Sequence, residues 1–253
     1  MRATITWALS ITLLCFGLTA QAAEVRVLSA GAPEPGLRPA VAAFERASGH
    51  TVKLTFATAP QIRERAGTSV PFDVVIAPPA VLDDLDAAAK TATDRAARVN
   101  IGRVGIGVAV RPGAPRPDIA TTAAFTQALR DADSVVYNRA STGLYIETLL
   151  QRLNLDLQAK TTRYPDGASV MEHVLRGQGR EIGMGASTEI LLKKDQGLVY
   201  VGPLPADLQS ETTYQAAAAA SPADRTAAQA LLAHLASPQA RADFVAAGIA
   251  PAP

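Results

Sequence analysis

Short β-rich runs alternate with amphipathic segments of helical periodicity along the chain after Glu24. Strand-like runs occur at 25–30 (VRVLSA), 51–57 (TVKLTFA) and 72–78 (FDVVIAP), and a helix is predicted over 37–50 between the first two. Strands that recur after each helix need crossover connections, which place them side by side in a parallel sheet. The sequence therefore predicts an α/β fold in which a mostly parallel sheet is flanked by helices.

A second α/β series fills the middle of the chain. Its predicted strands are SVVYN, AKTTRY, EIGMGA and LVYVG, and its predicted helices are TAAFTQALRDA, TGLYIETLLQRLN, SVMEHVLRG and TEILLKK. Between the two series lie the glycine-spaced run at 101–110 (IGRVGIGVAV) and RPGAPRPDI, whose prolines disfavour regular structure. We interpret this stretch as a linker or hinge.

The end of the chain is predicted to return to the first series. TTYQAAAAAS is interpreted as a strand although alanine favours helix, and two helices follow at 222–237 and 238–249. We therefore expect two lobes, with residues 23–100 plus 210–253 in lobe 1 and residues 101–209 in lobe 2. A ligand cleft is expected between the lobes, at the carboxyl ends of the strands.

The first 22 residues have the features of a secretory signal peptide. Arg2 precedes an apolar run, and Ala20-Gln21-Ala22 is a small-residue pattern of the kind that signal peptidase cuts. Leu14 precedes Cys15, where lipoprotein processing requires a small residue. The sequence predicts cleavage near Ala22 and a periplasmic or secreted mature protein.

Composition excludes several classes of partner and chemistry. Without Arg2, 23 of the 24 Lys and Arg residues remain against 23 Asp and Glu, and no basic run is present, so no nucleic-acid partner is expected. Signal cleavage also removes Cys15, the one cysteine. The three histidines, His50, His173 and His234, do not have the spacing of a metal site. We expect no metal and no cofactor.

Three predicted strands end in small, polar or glycine-containing loops just before a helix, at 29–36, 56–62 and 137–143. Free amide groups at a helix start attract anions. In the third loop, Arg139 offers a planar fork for a carboxylate, Ser141 or Thr142 offers a hydroxyl, and Gly143 allows close backbone approach. The alternative is that the hydroxyls cap the helix and that the arginine is solvated.

The sequence resembles the periplasmic molybdate-binding receptors and the broader type 2 solute-binding proteins of ABC importers. The resemblance rests on VRVLSAGAP, AFERASGHTVKLTFATAPQI, PFDVVIAPP, GPLPADLQSETTY and SPQARADFVAAGI, and it covers nearly the whole mature chain. It implies two α/β lobes that are joined by a two-strand hinge and close on a small anionic ligand. It also implies a monomer whose partner is an importer permease.

In such receptors, serines of the first two loops and a tyrosine of the second lobe contact the oxyanion. The first serine corresponds to Ala32, beside Gly31; the second corresponds to Ala59, beside Thr58; and the tyrosine corresponds to the region of Ala186. Alanine keeps the backbone amide but donates no hydroxyl. The resemblance therefore favours an organic carboxylate over molybdate.

Lobe 2 offers further candidate ligand contacts in YPDGASV, where Ala168 and Ser169 precede the next predicted helix. They join Arg139, Ser141, Thr142 and Gly143 as the expected contacts of this lobe.

Some proteins similar to these receptors are periplasmic isomerases of unsaturated tricarboxylic acids, of the aconitate isomerase kind. An allylic proton shift needs a base, an acid and cationic anchors, but no metal. Arg139, Tyr137, Glu34 and Glu189 are candidates whose roles the sequence does not assign, and a capping role for Glu189 is equally open. Binding without catalysis remains the first prediction, with no residue assigned as catalytic.

Overall fold

The computed structural model describes residues 22–68, 71–92 and 95–252. The predicted signal peptide falls almost entirely outside these residues, so its cleavage near Ala22 stays a prediction. The strands are β1 (Glu24–Ala30), β2 (Thr51–Ala57), β3 (Val74–Ala77), β4 (Val99–Val110), β5 (Ser134–Asn138), β6 (Thr161–Tyr164), β7 (Glu181–Ala186), β8 (Val199–Pro203) and β9 (Glu211–Ala218).

The helices follow the strands as expected. They are α1 (Glu34–Ser48), α2 (Ala59–Gly67), α3 (Pro79–Ala87), α4 (Thr122–Asp131), α5 (Ser141–Arg152), α6 (Gly167–Arg176), α7 (Ser187–Leu191), α8 (Arg225–Leu235) and α9 (Pro238–Ala246). Of the described helices, none is both long and apolar enough to cross a bilayer.

The strands form one mixed sheet in the order β2-β1-β3-β9-β4-β7-β5-β6, and β8 also pairs with β4. At one end β1 pairs in parallel with β2 and β3, and at the other end β5 pairs in parallel with β6 and β7. The two parallel units are joined by β9 and β4, which are antiparallel to their neighbours. The α/β prediction is confirmed, and the antiparallel pairs lie where the chain crosses between lobes.

The stretch 101–119, interpreted as a linker or hinge, begins with regular structure, because 101–110 belongs to the continuous strand β4 that joins the two parallel units. Its first part pairs with β9 and its last part pairs with β7 and β8. The glycines serve close packing: a methyl group at Gly107 would lie 2.6 Å from the ring of Tyr200, and Gly102 has φ of 142° against Ala250. Only the proline-rich segment after β4 lacks regular structure.

The buried apolar residues separate into clusters that follow the two parallel units. The largest cluster joins residues 25–104 to residues 214–249, with Ala186 also included. Two others are built from residues 106–208 alone. The exact lobe bounds stay a prediction, which this partition of the core supports.

Lobe 1 contains two acids that are enclosed beside arginines. Asp73, which is 1 % exposed, accepts hydrogen bonds from the backbone and side chain of Arg26 and from the Ala223 amide. Asp86 accepts from Arg98, whose side chain is 5 % exposed. Burial would raise the pKa of each acid, but these donors outweigh it and lower the pKa.

Candidate functional site

A cavity of about 390 Å³ lies where the loops of the two parallel units meet. Lobe 1 lines it with Ala30, Gly31, Ala32, Glu34, Phe56, Ala57, Thr58, Ala59, Gln61, Pro78 and Tyr214. Lobe 2 lines it with Asn138, Ala140, Ser141, Thr142, Asp166, Gly167, Ala168, Ser169, Ala186, Glu189, Leu192 and Lys193. Almost every lining residue follows a strand or begins a helix, which is where α/β proteins bind ligands.

Helices α1, α2, α5 and α6 all begin at this cavity. Each helix start carries partial positive charge and amide groups without an intrahelical partner. Some of these amides are already used: the Asp166 side chain accepts from the Ser169 amide, at 2.8 Å, and the Gln61 side chain accepts from the Thr58 amide, at 2.9 Å. The converging starts make the cavity favourable for an anion.

Glu189 lines this cavity from the first turn of α7. A methyl group at Gly31 of lobe 1 would lie 2.9 Å from its Oε1 atom, and one at Gly167 of lobe 2 would overlap its Oε2 atom. The two glycines therefore admit the carboxyl group between the lobes. Although the residue as a whole keeps some exposure, this end of the side chain is enclosed.

The environment of Glu189 disfavours its charged form. The pKa of the carboxyl group is raised to about 7, mainly by burial and further by the nearby acids Asp166 and Glu34, against a hydrogen bond from the Ala186 amide that lowers it. That hydrogen bond is the capping interaction expected of a glutamate three residues into a helix. Capping is therefore present but does not keep the group ionised, and protonated and ionised forms coexist at neutral pH.

Tyr214 lines the cavity from β9, which joins the two parallel units, and its hydroxyl group is hydrogen-bonded to the Thr212 side chain. The residue is 6 % exposed. Burial raises the pKa of its phenol well above the usual value, and the charge of Glu189 adds to the effect. Tyr214 stays protonated at neutral pH and is a hydrogen-bond donor.

The lobes also touch beside the cavity. Thr188, which is fully buried, donates from Oγ1 to the Ala32 carbonyl oxygen at 2.7 Å. Thr188 directly precedes Glu189, so the bond fixes the start of α7 against the first loop of lobe 1. The position of Glu189 therefore depends on how the lobes meet.

Most of the residues expected from the sequence are brought together here. The cavity is lined by Gly31, Ala32, Thr58, Ala59, Ser141, Thr142, Ala168, Ser169 and Ala186. Glu34 and Glu189 also line it. Glu34 is paired with Arg38 on the same helix, at 2.6 Å, whereas Glu189 has no cationic partner among the ion pairs of the described residues.

Three expected residues lie elsewhere. Arg139 is exposed and is not a lining residue. Gly143 is buried with its amide bonded to the Asn138 side chain at 3.0 Å, and a methyl group there would overlap the Asn138 carbonyl oxygen. The close approach of the Asn138 backbone therefore requires a glycine at this position. Tyr137 is buried in the core and does not line the cavity.

Sequence reasoning missed five polar lining residues: Gln61, Asn138, Asp166, Lys193 and Tyr214. The side-chain oxygen Oδ1 of Asn138 accepts from the Ala140 and Gly143 amides, which leaves the side-chain NH₂ group as the donor. Asp166 sits in YPDGASV at the N-cap of α6, a position that aspartate signals in sequence. Lys193 and Tyr214 carried no such signal.

The histidines are engaged in packing. His50 accepts from the Ala23 amide, His234 contacts the Ala40 carbonyl oxygen, and His173 pairs with the hydroxyl group of Tyr164 at 2.8 Å. Within 22–68, 71–92 and 95–252, no three His, Cys, Asp or Glu residues are grouped as metal ligands would be.

Known proteins similar to this chain share its fold and family. The family model described as bacterial extracellular solute-binding protein matches residues 25–250. An aconitate isomerase of a Pseudomonas species is 36% identical over 237 residues, which are 90% of this chain and 87% of that protein.

Two solved structures show the same fold at low identity. The periplasmic molybdate-binding protein of Azotobacter vinelandii has a TM-score of 0.75 and 16% identity, over 90% of this chain and 100% of that one. The sulfate-binding protein of Mycobacterium tuberculosis has a TM-score of 0.69 and 18% identity, over 90% and 87%. The resemblance to type 2 solute-binding proteins is confirmed, and the chain belongs to the family of bacterial extracellular solute-binding proteins.

Proposed function

We propose that this chain is an isomerase of an unsaturated tricarboxylic acid of the aconitate type, and that Glu189 transfers the proton. The observation that carries the proposal is the enclosed Glu189 carboxyl group, whose pKa is raised to about 7 and which lines the cavity where the helix starts converge. A group that titrates near the working pH is suited to take a proton and to return it.

A receptor has no use for this carboxyl group. It repels an anionic ligand when ionised, and its burial costs stability at neutral pH. Solute-binding sites for anions use neutral donors and cations, and the helix starts around this cavity already provide neutral amide donors. A carboxyl group that repels the ligand and lowers stability is better explained by a catalytic role than by a role in binding.

The reaction is a proton shift along three carbons. The ionised Glu189 carboxylate removes a proton from the CH₂ carbon beside the double bond, and the electron pair of that C–H bond moves into the carbon framework. The double bond then forms one carbon further along, and the protonated carboxyl group returns the proton to the far carbon. One C–H bond breaks and another forms, so no oxidant or reductant is required.

Negative charge spreads onto the substrate carboxylates during this shift. The starts of α1, α2, α5 and α6 are preorganised to stabilise that charge without reorientation. Gly31, Ala32, Thr58 and Ala59 are the proposed contacts in lobe 1. Ser141, Thr142, Ala168, Ser169 and Ala186 are the proposed contacts in lobe 2. The phenol of Tyr214 donates a hydrogen bond from the hinge strand.

The comparisons support the same substrate class. The relative named aconitate isomerase is 36% identical across nearly the full length of both chains, far above the 16% of the molybdate-binding protein. Ala32 and Ala59 stand where oxyanion receptors use serine hydroxyls, according to the resemblance. A cavity with fewer hydroxyls and a titratable acid suits a carboxylic acid better than molybdate or sulfate.

The direct test incubates the purified mature protein with cis-aconitate and, separately, with trans-aconitate, and follows both isomers by proton NMR and ultraviolet absorbance. We expect both samples to reach the same isomer ratio, and Glu189→Gln to convert both isomers roughly 10²- to 10⁴-fold more slowly. Binding of either isomer without conversion would contradict the proposal.

That outcome would favour the second candidate, a receptor for a small organic anion. The family membership and the fold favour this function. In either case we propose export to the periplasm with cleavage after Ala22, no metal or cofactor, and a monomeric protein. A permease of an ABC importer is the proposed partner only for the receptor.

A further inference from the structure

The cationic side chains around the cavity are unevenly placed. Among the described residues that line the cavity, the charged ones are Glu34, Asp166, Glu189 and Lys193, so Lys193 is the one cation. Arg139, the cation that the sequence indicated, is exposed and outside. Glu34 is already neutralised by Arg38. A substrate with three negative charges therefore meets a single full positive charge in the cavity wall.

Lys193 is held so that it can be released to a ligand. Its Nζ atom lies 3.5 Å from Glu172 Oε2 and 3.4 Å from Gln196 Oε1, both long contacts. Glu172 also pairs with Arg176 one turn further along α6. Glu172 therefore keeps a cationic partner when the lysine moves away, so the movement leaves no unpaired carboxylate.

The position of Lys193 in the chain links it to the reacting group. It follows α7 by two residues and lies four residues after Glu189. Its side chain is 23% exposed, which indicates a place at the edge of the cavity. Glu189 and Lys193 line the same cavity, so a substrate that presents one carbon to Glu189 can meet Lys193 with a carboxylate remote from that carbon.

From this geometry we propose that Lys193 is the charged anchor of the cavity, which binds one remote carboxylate of the substrate and selects tricarboxylates over dicarboxylates. This inference rests on the proposed function, because it assigns the specificity of the same site. Lys193 is a binding residue in this account, and Glu189 performs the proton transfer.

The test compares Lys193→Ala with Lys194→Ala, a neighbouring exposed lysine outside the cavity lining. Isothermal titration uses protein that also carries Glu189→Gln, so that turnover adds no heat. The ligands are cis-aconitate, citraconate and itaconate, of which the last two each lack one of its carboxylates. Lys193→Ala should weaken cis-aconitate binding by tenfold or more, as expected for losing a hydrogen bond between two charged groups.

The same variant should weaken binding of at least one dicarboxylate by less than threefold, because that ligand lacks the carboxylate which Lys193 binds. Lys194→Ala should change none of the affinities. With Glu189 intact, Lys193→Ala should raise KM for trans-aconitate by a similar factor and change kcat by less than threefold. A damaged fold would instead lower kcat and weaken all three ligands equally.

The possible failures are distinct. Suppose that unmodified protein converts aconitate, and that adding Lys193→Ala to Glu189→Gln changes the affinity for cis-aconitate by less than threefold. The inference is then overturned and the proposed function stands. Equal weakening of all three ligands also overturns it. If unmodified protein neither binds nor converts aconitate, the proposed function fails, and the inference fails with it.

Discussion

Asp73 and Glu189 are both enclosed carboxyl groups, but their surroundings have opposite effects. Asp73 accepts from the Arg26 backbone, the Arg26 guanidinium group and the Ala223 amide, and its pKa is lowered. Glu189 has one backbone donor, faces other acids, and has a pKa of about 7. The first arrangement stabilises lobe 1, whereas the second costs stability and is explained by function.

The largest expected effect is on the isomerisation rate of Glu189→Gln, and it distinguishes a catalytic role of Glu189 from a structural one. Glu189→Gln keeps the shape of the side chain but cannot take a proton, so we expect the isomerisation rate to fall by roughly 10²- to 10⁴-fold. Affinity for cis-aconitate should hold or improve, because an ionisable acid is removed from an anion site. Glu64→Gln, on the exposed face of α2, is the matched control and should leave the rate unchanged. If both variants isomerise aconitate within threefold of the rate of unmodified protein, Glu189 does not have the proposed role.

Substitution of Asp73 should have the reverse effect, with a loss of stability and no change in the isomerisation rate. Asp73→Asn removes the charge that neutralises Arg26, and breaking an enclosed ion pair on one side costs about 3 kcal/mol of unfolding free energy. Denaturant titration measures this loss, and the rate per folded molecule should be unchanged. Asp84→Asn, in an exposed pair with Arg63, should cost less than about 1 kcal/mol. Equal losses in the two variants would contradict the distinction.

The pH dependence of stability should also differ between Glu189 and its glutamine variant. Below about pH 4.5 the carboxyl group is protonated in both folded and unfolded states, and above about pH 7 it is ionised in both. The raised pKa therefore makes unmodified protein lose stability, relative to Glu189→Gln, as the pH rises through this window. The relative loss should reach about 3 kcal/mol at most. Parallel curves of unfolding free energy against pH would show that the pKa is not raised.

The smallest expected effect concerns Arg139. Because its side chain is exposed outside the cavity, Arg139→Ala should change the affinity for cis-aconitate by less than threefold. A loss of tenfold or more in calorimetric titration would restore the role indicated by the sequence, with the arginine reaching the ligand in a different conformation.

The order of elements could be predicted because it depends on local periodicity and turn residues. The strand β9 was predicted despite its alanines, since it follows the pattern of the fold and not helix propensity. The glycine-spaced run was not recognised as the strand β4. Its glycines are required because Tyr200 and Ala250 pack closely against them. These neighbours are distant in sequence, so a local pattern cannot predict them.

The parts of the site that are formed by loops before helices could be predicted from the sequence. The parts that depend on contacts between segments distant in sequence could not. Helix starts after strands identified Thr58, Ser141 and Ser169 correctly as lining residues. Arg139 was favoured because it is adjacent to such a loop, but adjacency does not fix where a side chain points. Glu189 could be named as a candidate, whereas its raised pKa depends on Asp166, Glu34 and the enclosing lobes.

The pH dependence of kcat/KM for trans-aconitate is the most direct test that the enclosed, unpaired Glu189 is the base. This parameter reports the ionisation of groups in the free protein. We predict that kcat/KM falls as the pH is lowered through about 7, the pKa of Glu189, and that the residual rate of Glu189→Gln shows no such step. A step at the ordinary glutamate value near 4.5, or the same step near 7 in Glu189→Gln, would contradict the account.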